Sequence, residues 1–358
     1  MTDDGRNIAP ESGILEGEAA EQAVPEDRAG AHGAVAYEVW DKLPSREGRP
    51  ETYYDRPVLK EPVWIWAVPA YFYAGGAAGA AATLGAVAQF ADRKGLEGLI
   101  KRCRWIAATG GAVGTALLIH DLGRRERFLN MLRVFRPTSP MSVGSWVLAG
   151  SAPLAAGSAL LSGGPSALRR IGDAAGAGAG VMGLPLAGYT AVLLSNTAVP
   201  IWQDTRRSLP GLFYASAVTS AASLLDLSEL SDRESTIVHR FGVLGKIAEL
   251  AAFQAVQRDG NTVDRVGTPL TTGLSGVLWK ASKLLTGASL VLSILPGHDR
   301  KARRIGAAVL GTAGSISVRF ALFHAGKASS RDPRATFEGQ RAGRGAAEAT
   351  GRMAITGP

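Results

Sequence analysis

The 358-residue chain holds one cysteine, Cys103, and five histidines. A single cysteine excludes an internal disulfide, a cysteine-ligated iron–sulfur cluster and a Cys-x-x-Cys-His haem attachment. A redox metal in this chain would have to sit on histidine. His120, His239 and His324 offer no defensible pair at matched depth on facing helices, so neither haem nor any other metal is expected. No apolar run follows Met1 and no twin-arginine signal is present, so no targeting peptide is expected. Glycine is abundant, at 45 residues, but no glycine run follows a strand or carries Lys-Ser or Lys-Thr. Phosphate loops are thereby excluded.

Hydrophobic residues make up 46% of the chain, and they are unevenly placed. The first sixty residues and the last thirty are polar, and the middle is rich in Gly, Ala and Leu. The net charge is +8, but the basic residues flank apolar runs instead of forming one stripe. That placement suits anionic lipid and membrane topology, not nucleic acid.

About eight apolar stretches approach the length needed to cross a bilayer: 64–90, 104–121, 141–162, 175–200, 210–228, 236–256, 272–295 and 303–324. The sixth is the weakest, since it holds His239, Arg240, Lys246 and Glu249. A soluble bundle with long core helices is the alternative, and eight runs in series speak against it. An even number of crossings puts both termini on one side, and the arginine bias leans only slightly toward the cytoplasm. Small residues such as Gly75, Gly76, Gly79, Gly110, Gly111 and Gly114 crowd the first two runs and let helices approach closely in lipid.

The second and third runs are joined by Asp121–Trp146, DLGRRERFLNMLRVFRPTSPMSVGSW. Gly123 can end a helix in the left-handed conformation. Arg124, Arg125 and Arg127 suit a headgroup layer. Phe128, Leu132 and Phe135 recur at i, i+4 and i+7, which predicts a short amphipathic helix in the membrane interface. Ser139 before Pro140 predicts an N-cap and the start of the next helix.

Four stretches in this order, YYDRPVLKEPVW, YFYAGGAAGA, DLGRRERFLNMLRVFRPTSPMSVGSW and GYTAVLLSNTAVPIW, resemble the NrfD/PsrC family. These are membrane subunits of polysulfide reductase and related molybdoenzyme complexes. The resemblance covers roughly residues 52–325 and is strongest over the first four runs. It implies an all-α integral membrane protein of about eight helices in two four-helix bundles. The expected organisation is a disordered tail at 1–52, an NrfD-like transmembrane domain at 53–325 and a flexible tail at 326–358. The resemblance further implies a haem-free subunit that exchanges electrons between menaquinone or ubiquinone and a partner iron–sulfur subunit, with a molybdopterin subunit beyond it. The quinone pocket is expected in the first bundle, near the docking face.

Quinone chemistry needs hydrogen-bond donors to two carbonyls and a route for protons. Asp121 ends the second helix, and a carboxylate there can accept quinol protons; a salt bridge to Arg124, Arg125 or Arg127 is the structural alternative. Arg125 stands where the family usually has Pro. Tyr189 lies among Ala, Val and Leu, where a phenol needs a partner, and the resemblance makes it a ligand to a quinone carbonyl. Asn196, seven residues on, shares its helix face. Tyr71 stands where polysulfide reductase has His, and Ala67 where it has Asn. A phenol can donate to a carbonyl but is a poor base near neutral pH, so His120 joins Asp121 as a candidate proton carrier. His239, Lys246 and Glu249 share a face of the sixth helix, and Lys280, Lys283 and Arg319 lie in later ones. They read as a proton path or, preferably, as buried ion pairs and snorkelling side chains.

The expected protein is thus a multi-pass subunit of the bacterial inner membrane. It passes electrons between the quinone pool and an iron–sulfur partner, with coupled proton uptake or release. A secondary transporter or ion-translocating subunit, and a plain anchor without quinone chemistry, are the alternatives.

Overall fold

A computed structural model of the chain describes residues 58–295 and 300–341. The expected tail at 1–52 lies outside the described residues. All regular structure among them is helical. The long helices are α1 (Ala67–Asp92), α2 (Glu97–Asp121), α3 (Pro140–Leu161) and α4 (Ser166–Ser195). A short α5 (Pro200–Asp204) leads to α6 (Leu209–Asp226) and α7 (Asp232–Gly260). A four-residue α8 (Asp264–Gly267) precedes α9 (Gly273–Ile294), α10 (Arg300–Ser330) and the short α11 (Pro333–Arg341).

Local chemistry sets several boundaries. Ser139 caps α3 as the sequence predicts, its hydroxyl accepting from the Ser142 amide at 3.4 Å with Pro140 in the first helical turn. Ser231 and Glu234 form a reciprocal capping box at the start of α7. The second oxygen of Glu234 accepts from the Leu99 amide, so one carboxylate ties the starts of α7 and α2 together. Burial would raise the Glu234 pKa, but the amides of Ser231 and Leu99 outweigh it and hold the carboxyl below the usual range.

Two expectations are corrected. Gly123 is not left-handed: Gly273 is the one glycine with positive φ among the described residues. The chain instead leaves α2 through Leu122 in an extended conformation, whose amide bonds back to Leu118. The expected amphipathic helix is a 3₁₀ run, Arg125–Leu132, turned by 116° from α2. Prolines at 137 and 140 leave no length for more turns. Within the stretch read as the start of a flexible tail, residues 326–330 complete α10 and 333–341 form α11. Ion pairs hold this region, with Arg331 gripping Glu61 at 2.7 and 2.9 Å and Lys327 at 3.5 Å from the same carboxylate.

In the first half, α1 packs on α2 and α4, and α3 packs on α2 and α4. Gly79 and Gly183 bring the α1 and α4 backbones close, since a Cβ on Gly79 would sit 2.5 Å from the Gly183 carbonyl oxygen. In the second half, α6 packs on α7 and α10, and α9 packs on α7 and α10. The halves meet where α6 lies against α1 and α4. The outer faces carry exposed Phe90, Leu160, Val181, Leu244, Val277 and Leu284. Such a belt suits acyl chains, not water.

By length and apolar content alone, α3, α4, α9 and α10 are each able to cross a membrane, and α2 with its bent extension makes a fifth. The chain is therefore a multi-pass membrane protein. The sequence reading of eight spans exceeds what this test supports. Alanine and glycine dominate α1, serine and threonine crowd α6, and α7 carries charge within its apolar stretch.

Candidate functional site

Tyr71 lies in the second turn of α1, and Tyr189 in the second-last turn of α4. Antiparallel packing brings them to one depth, and their hydroxyls hydrogen-bond to each other. The ring centroids are 6.4 Å apart at 57°. The other two helices of this half make room for the rings. A Cβ on Gly114 of α2 would sit 3.0 Å from the Tyr71 ring, and one on Gly144 of α3 would run into the Tyr189 ring. All four helices therefore meet at the tyrosine pair. Leu117 and Leu118 of α2 and Val147 and Leu148 of α3 belong to the surrounding apolar cluster.

The pair has a chemical consequence. When one phenol donates to the other, the acceptor's own hydroxyl hydrogen is not used in that bond. A donor is thus held in an apolar setting close to one end of the helices, ready for a carbonyl oxygen. Low local polarity strengthens such a bond.

The remaining predicted residues stand nearer the loop. Asp121 is seven residues beyond Gly114 on α2, about 10 Å along the axis. Its Oδ1 accepts from the Ile65 amide at 3.0 Å, which fixes the approach of the chain into α1. His120 is exposed, its ring 6.0 Å from that of Trp66. Asn196 bonds within its own helix. It is the exposed residue that closes α4, and its Nδ2 donates to the Val192 carbonyl at 2.9 Å.

Around this end, Arg124, Arg125, Arg127, Arg133 and Arg136 are all exposed. Phe135 packs edge-on against Trp146 at 6.1 Å and fastens the loop to α3. Trp64 stacks on Trp202 at 6.0 Å, and Trp202 donates to the Leu322 carbonyl at 2.9 Å, joining the approach segment to α5 and α10.

Gly114 and Gly144 were not singled out from the sequence as members of the site. Their signal is relational: a glycine on each neighbouring helix at the depth of a buried tyrosine. A second unread feature lies at the opposite end of α1–α4. Arg104 of α2, 6% exposed, donates to Asp173 of α4 at 2.8 Å and to Gln89 of α1 at 2.7 Å, and reaches the Ser158 carbonyl of α3 at 3.5 Å. Arg93 holds the other Asp173 oxygen at 2.8 Å. No group of three or more His, Cys, Asp or Glu side chains suited to a metal ion occurs among the described residues.

A family model described as Polysulphide reductase, NrfD, matches residues 57–329. The match runs from the approach segment through nearly all of α10. A search of curated proteins found no match.

Proposed function

The chain belongs to the polysulphide reductase NrfD family, membrane subunits of oxidoreductase complexes, and on that premise we propose that it is the subunit that meets the quinone pool. In this reading it exchanges electrons between menaquinone or ubiquinone and a partner iron–sulfur subunit, with a molybdopterin subunit beyond. Its membrane is the bacterial inner membrane. Its eight long helices all cross, in two groups of four, a reading supported by the closed packing within α1–α4 and among α6, α7, α9 and α10.

The observation that carries the proposal is the tyrosine pair. A quinone headgroup is a flat apolar ring with carbonyls at opposite edges. It needs an apolar slot and a donor at each carbonyl. The Tyr71–Tyr189 pair supplies one free donor, for one of these carbonyls, beside Leu117, Leu118, Val147 and Leu148. The phenols orient the headgroup and do not serve as the base near neutral pH. Asp121 and His120, nearer the loop, take the part of exchanging protons with solvent, and Asn196 lines the outer rim. The exposed arginines offer an acidic partner subunit a docking surface and weaken its hold as salt rises. The partner's cluster supplies or receives the electrons.

The test is purification from the native membrane in mild detergent, followed by mass spectrometry and solvent extraction. Co-purifying iron–sulfur and molybdopterin subunits with bound quinone support the reading. A monodisperse chain that comes without redox subunits or quinone in several detergents overturns it.

A further inference from the structure

A cavity of about 460 Å³ opens in the second half, where the short α8 and the ends of α9, α10 and α11 come together. One wall is the 3₁₀ turn Thr268–Leu270 and the start of α9, and the facing wall is the last turns of α10. Both α9 and α10 are long and apolar enough to cross a membrane. A cavity at the first turn of one and the last turns of the other therefore lies at headgroup depth. The approach segment fixes which face this is. Arg331 grips Glu61, and four residues on the Ile65 amide is held by Asp121 at the end of α2. The cavity thus shares a face with the arginine loop.

Its side chains leave positive charge over. Lys327 and Arg331 share one carboxylate, Glu61. Arg331 bonds it through Nε and Nη2, and the Lys327 ammonium stands 3.5 Å away, with more donors than one oxygen can use. Asp332, the carboxylate in the lining, is turned elsewhere. Its Oδ2 accepts from Arg265 at 2.7 Å, and its Oδ1 accepts from the Arg334 amide at 3.0 Å, at the start of α11. Three lining cations against two carboxylates leave one positive charge unbalanced among these five groups. One turn before Lys327, His324 brings a further ring N–H to the same wall.

The start of α9 adds backbone donors. The first amides of a helix have no acceptor within it. Thr272 is placed to cap them, but its hydroxyl donates to the Thr268 carbonyl at 3.0 Å and no side-chain cap forms. The Ser275 hydroxyl is likewise turned to the Pro269 carbonyl, at 2.7 Å. Gly273 has φ of 62°, and nothing lies within 4 Å of the place its Cβ would take. The backbone therefore meets the cavity bare. The positive end of the helix faces an anion on this side, and Lys327 and Arg331 face it from α10.

The rim is apolar on one side only. Leu274 lines it and is exposed, and exposed Val277, Leu284 and Val291 continue its row along the outer face of α9. A cationic cavity that opens onto an apolar track down a span fits a ligand in two parts, an anion and an acyl chain. We infer that the cavity binds the phosphate of an anionic phospholipid, with an acyl chain lying along Leu274, Val277 and Leu284. A phosphodiester carries one negative charge, which answers the one unbalanced cation. A headgroup that also carries an ammonium would bring a second positive charge beside Lys327 and Arg331 and is disfavoured there. A soluble phosphate ester offers the same anion without the chain, and the experiment separates the two sources. The inference does not rest on the quinone reading.

The test uses the full chain, with any subunit that accompanies it, stripped of lipid in detergent. It is titrated with phosphatidylglycerol, phosphatidylcholine or glycerol 3-phosphate, and bound molecules are counted by native mass spectrometry. Wild type is expected to hold one phosphatidylglycerol and to prefer it to phosphatidylcholine by about tenfold, the worth of one charged hydrogen bond. Lys327→Gln should lose that preference and Lys327→Arg should keep it. Lys280→Gln, an exposed lysine of α9 outside the cavity, should change nothing. Equal binding of the two lipids by wild type, or an unaltered preference in Lys327→Gln, overturns the site. Glycerol 3-phosphate that displaces phosphatidylglycerol at equal concentration assigns the cavity to a soluble ester and overturns the lipid. Phosphatidylglycerol bound by the chain alone but excluded by an attached subunit gives the cavity to an acidic partner, with the same consequence. If Lys327→Gln does not fold, as read by its Tm without lipid, Leu274→Gln replaces it: weaker phosphatidylglycerol binding supports the site and unchanged binding overturns it.

Discussion

The hydroxyl of Tyr71 on α1 is hydrogen-bonded to the hydroxyl of Tyr189 on α4, across 118 positions of sequence. The bond closes the centre of the first four helices and keeps one phenolic hydrogen outside the pair. Tyr71→Phe and Tyr189→Phe keep the ring volume and remove one hydroxyl each. Each is expected to weaken quinone affinity about tenfold, the worth of one hydrogen bond in an apolar site. Titration of the purified complex with a soluble quinone analogue measures this. Unchanged affinity in both variants assigns the pair to packing alone.

Gly144 makes room for the Tyr189 ring. Gly144→Ala is expected to cost about 1–3 kcal/mol through overpacking and to displace the ring. Gly150→Ala on the same helix is the control, since a Cβ there meets only the Met182 sulfur at 3.9 Å. Thermal unfolding in detergent should show a lower Tm for the first variant and no fall for the second.

Asp121 is bonded to the Ile65 amide, so its two roles can be separated. Asp121→Asn keeps an oxygen that accepts from that amide but removes the charge. Asp121→Leu removes both and is expected to destabilise by about 1–3 kcal/mol, the cost of leaving an amide unbonded. If Asp121 carries protons, Asp121→Asn slows turnover with Tm unchanged. If it only pins α1, Asp121→Asn turns over like wild type.

Arg104 and Asp173 join all four helices at the other end of this half. Asp173→Asn leaves the buried guanidinium short of its counter-charge and is expected to cost about 3 kcal/mol. The loss should appear as early release of α2 and α4 in hydrogen exchange, before the second half opens.

Glu234 lies before the apolar stretch of α7, and its folded pKa is held below its unfolded value. A depressed carboxyl adds stability that is present above the unfolded pKa and is lost as pH falls through the folded one. Acidification below the ordinary Glu range, about 4.3, should therefore loosen the junction of α2 and α7. Glu234→Gln should flatten that limb of the Tm–pH curve while lowering Tm at neutral pH.

The apolar runs and the Ser139–Pro140 start of α3 were legible in the sequence, because each depends on local composition or on one motif. Gly123 as a left-handed cap was not. It was assigned by a rule that assumes an ideal helix end, and α2 leaves through an extended Leu122. The amphipathic helix of the loop was legible as a pattern, but its 3₁₀ form follows from the short tether between α2 and Pro140.

By itself, the sequence determined the solvent of this protein and its family. Long apolar runs, small residues and a single cysteine depend on no contact between distant residues. Pairing was decided only in three dimensions. Tyr71 meets Tyr189, Arg104 meets Asp173, and Arg319 reaches Phe213 because antiparallel helices bring residues of equal depth together. Depth depends on where each helix begins and how closely glycines let it approach its neighbours. A side chain's partner, and so its chemistry, follows from that depth, and no single run of sequence carries it.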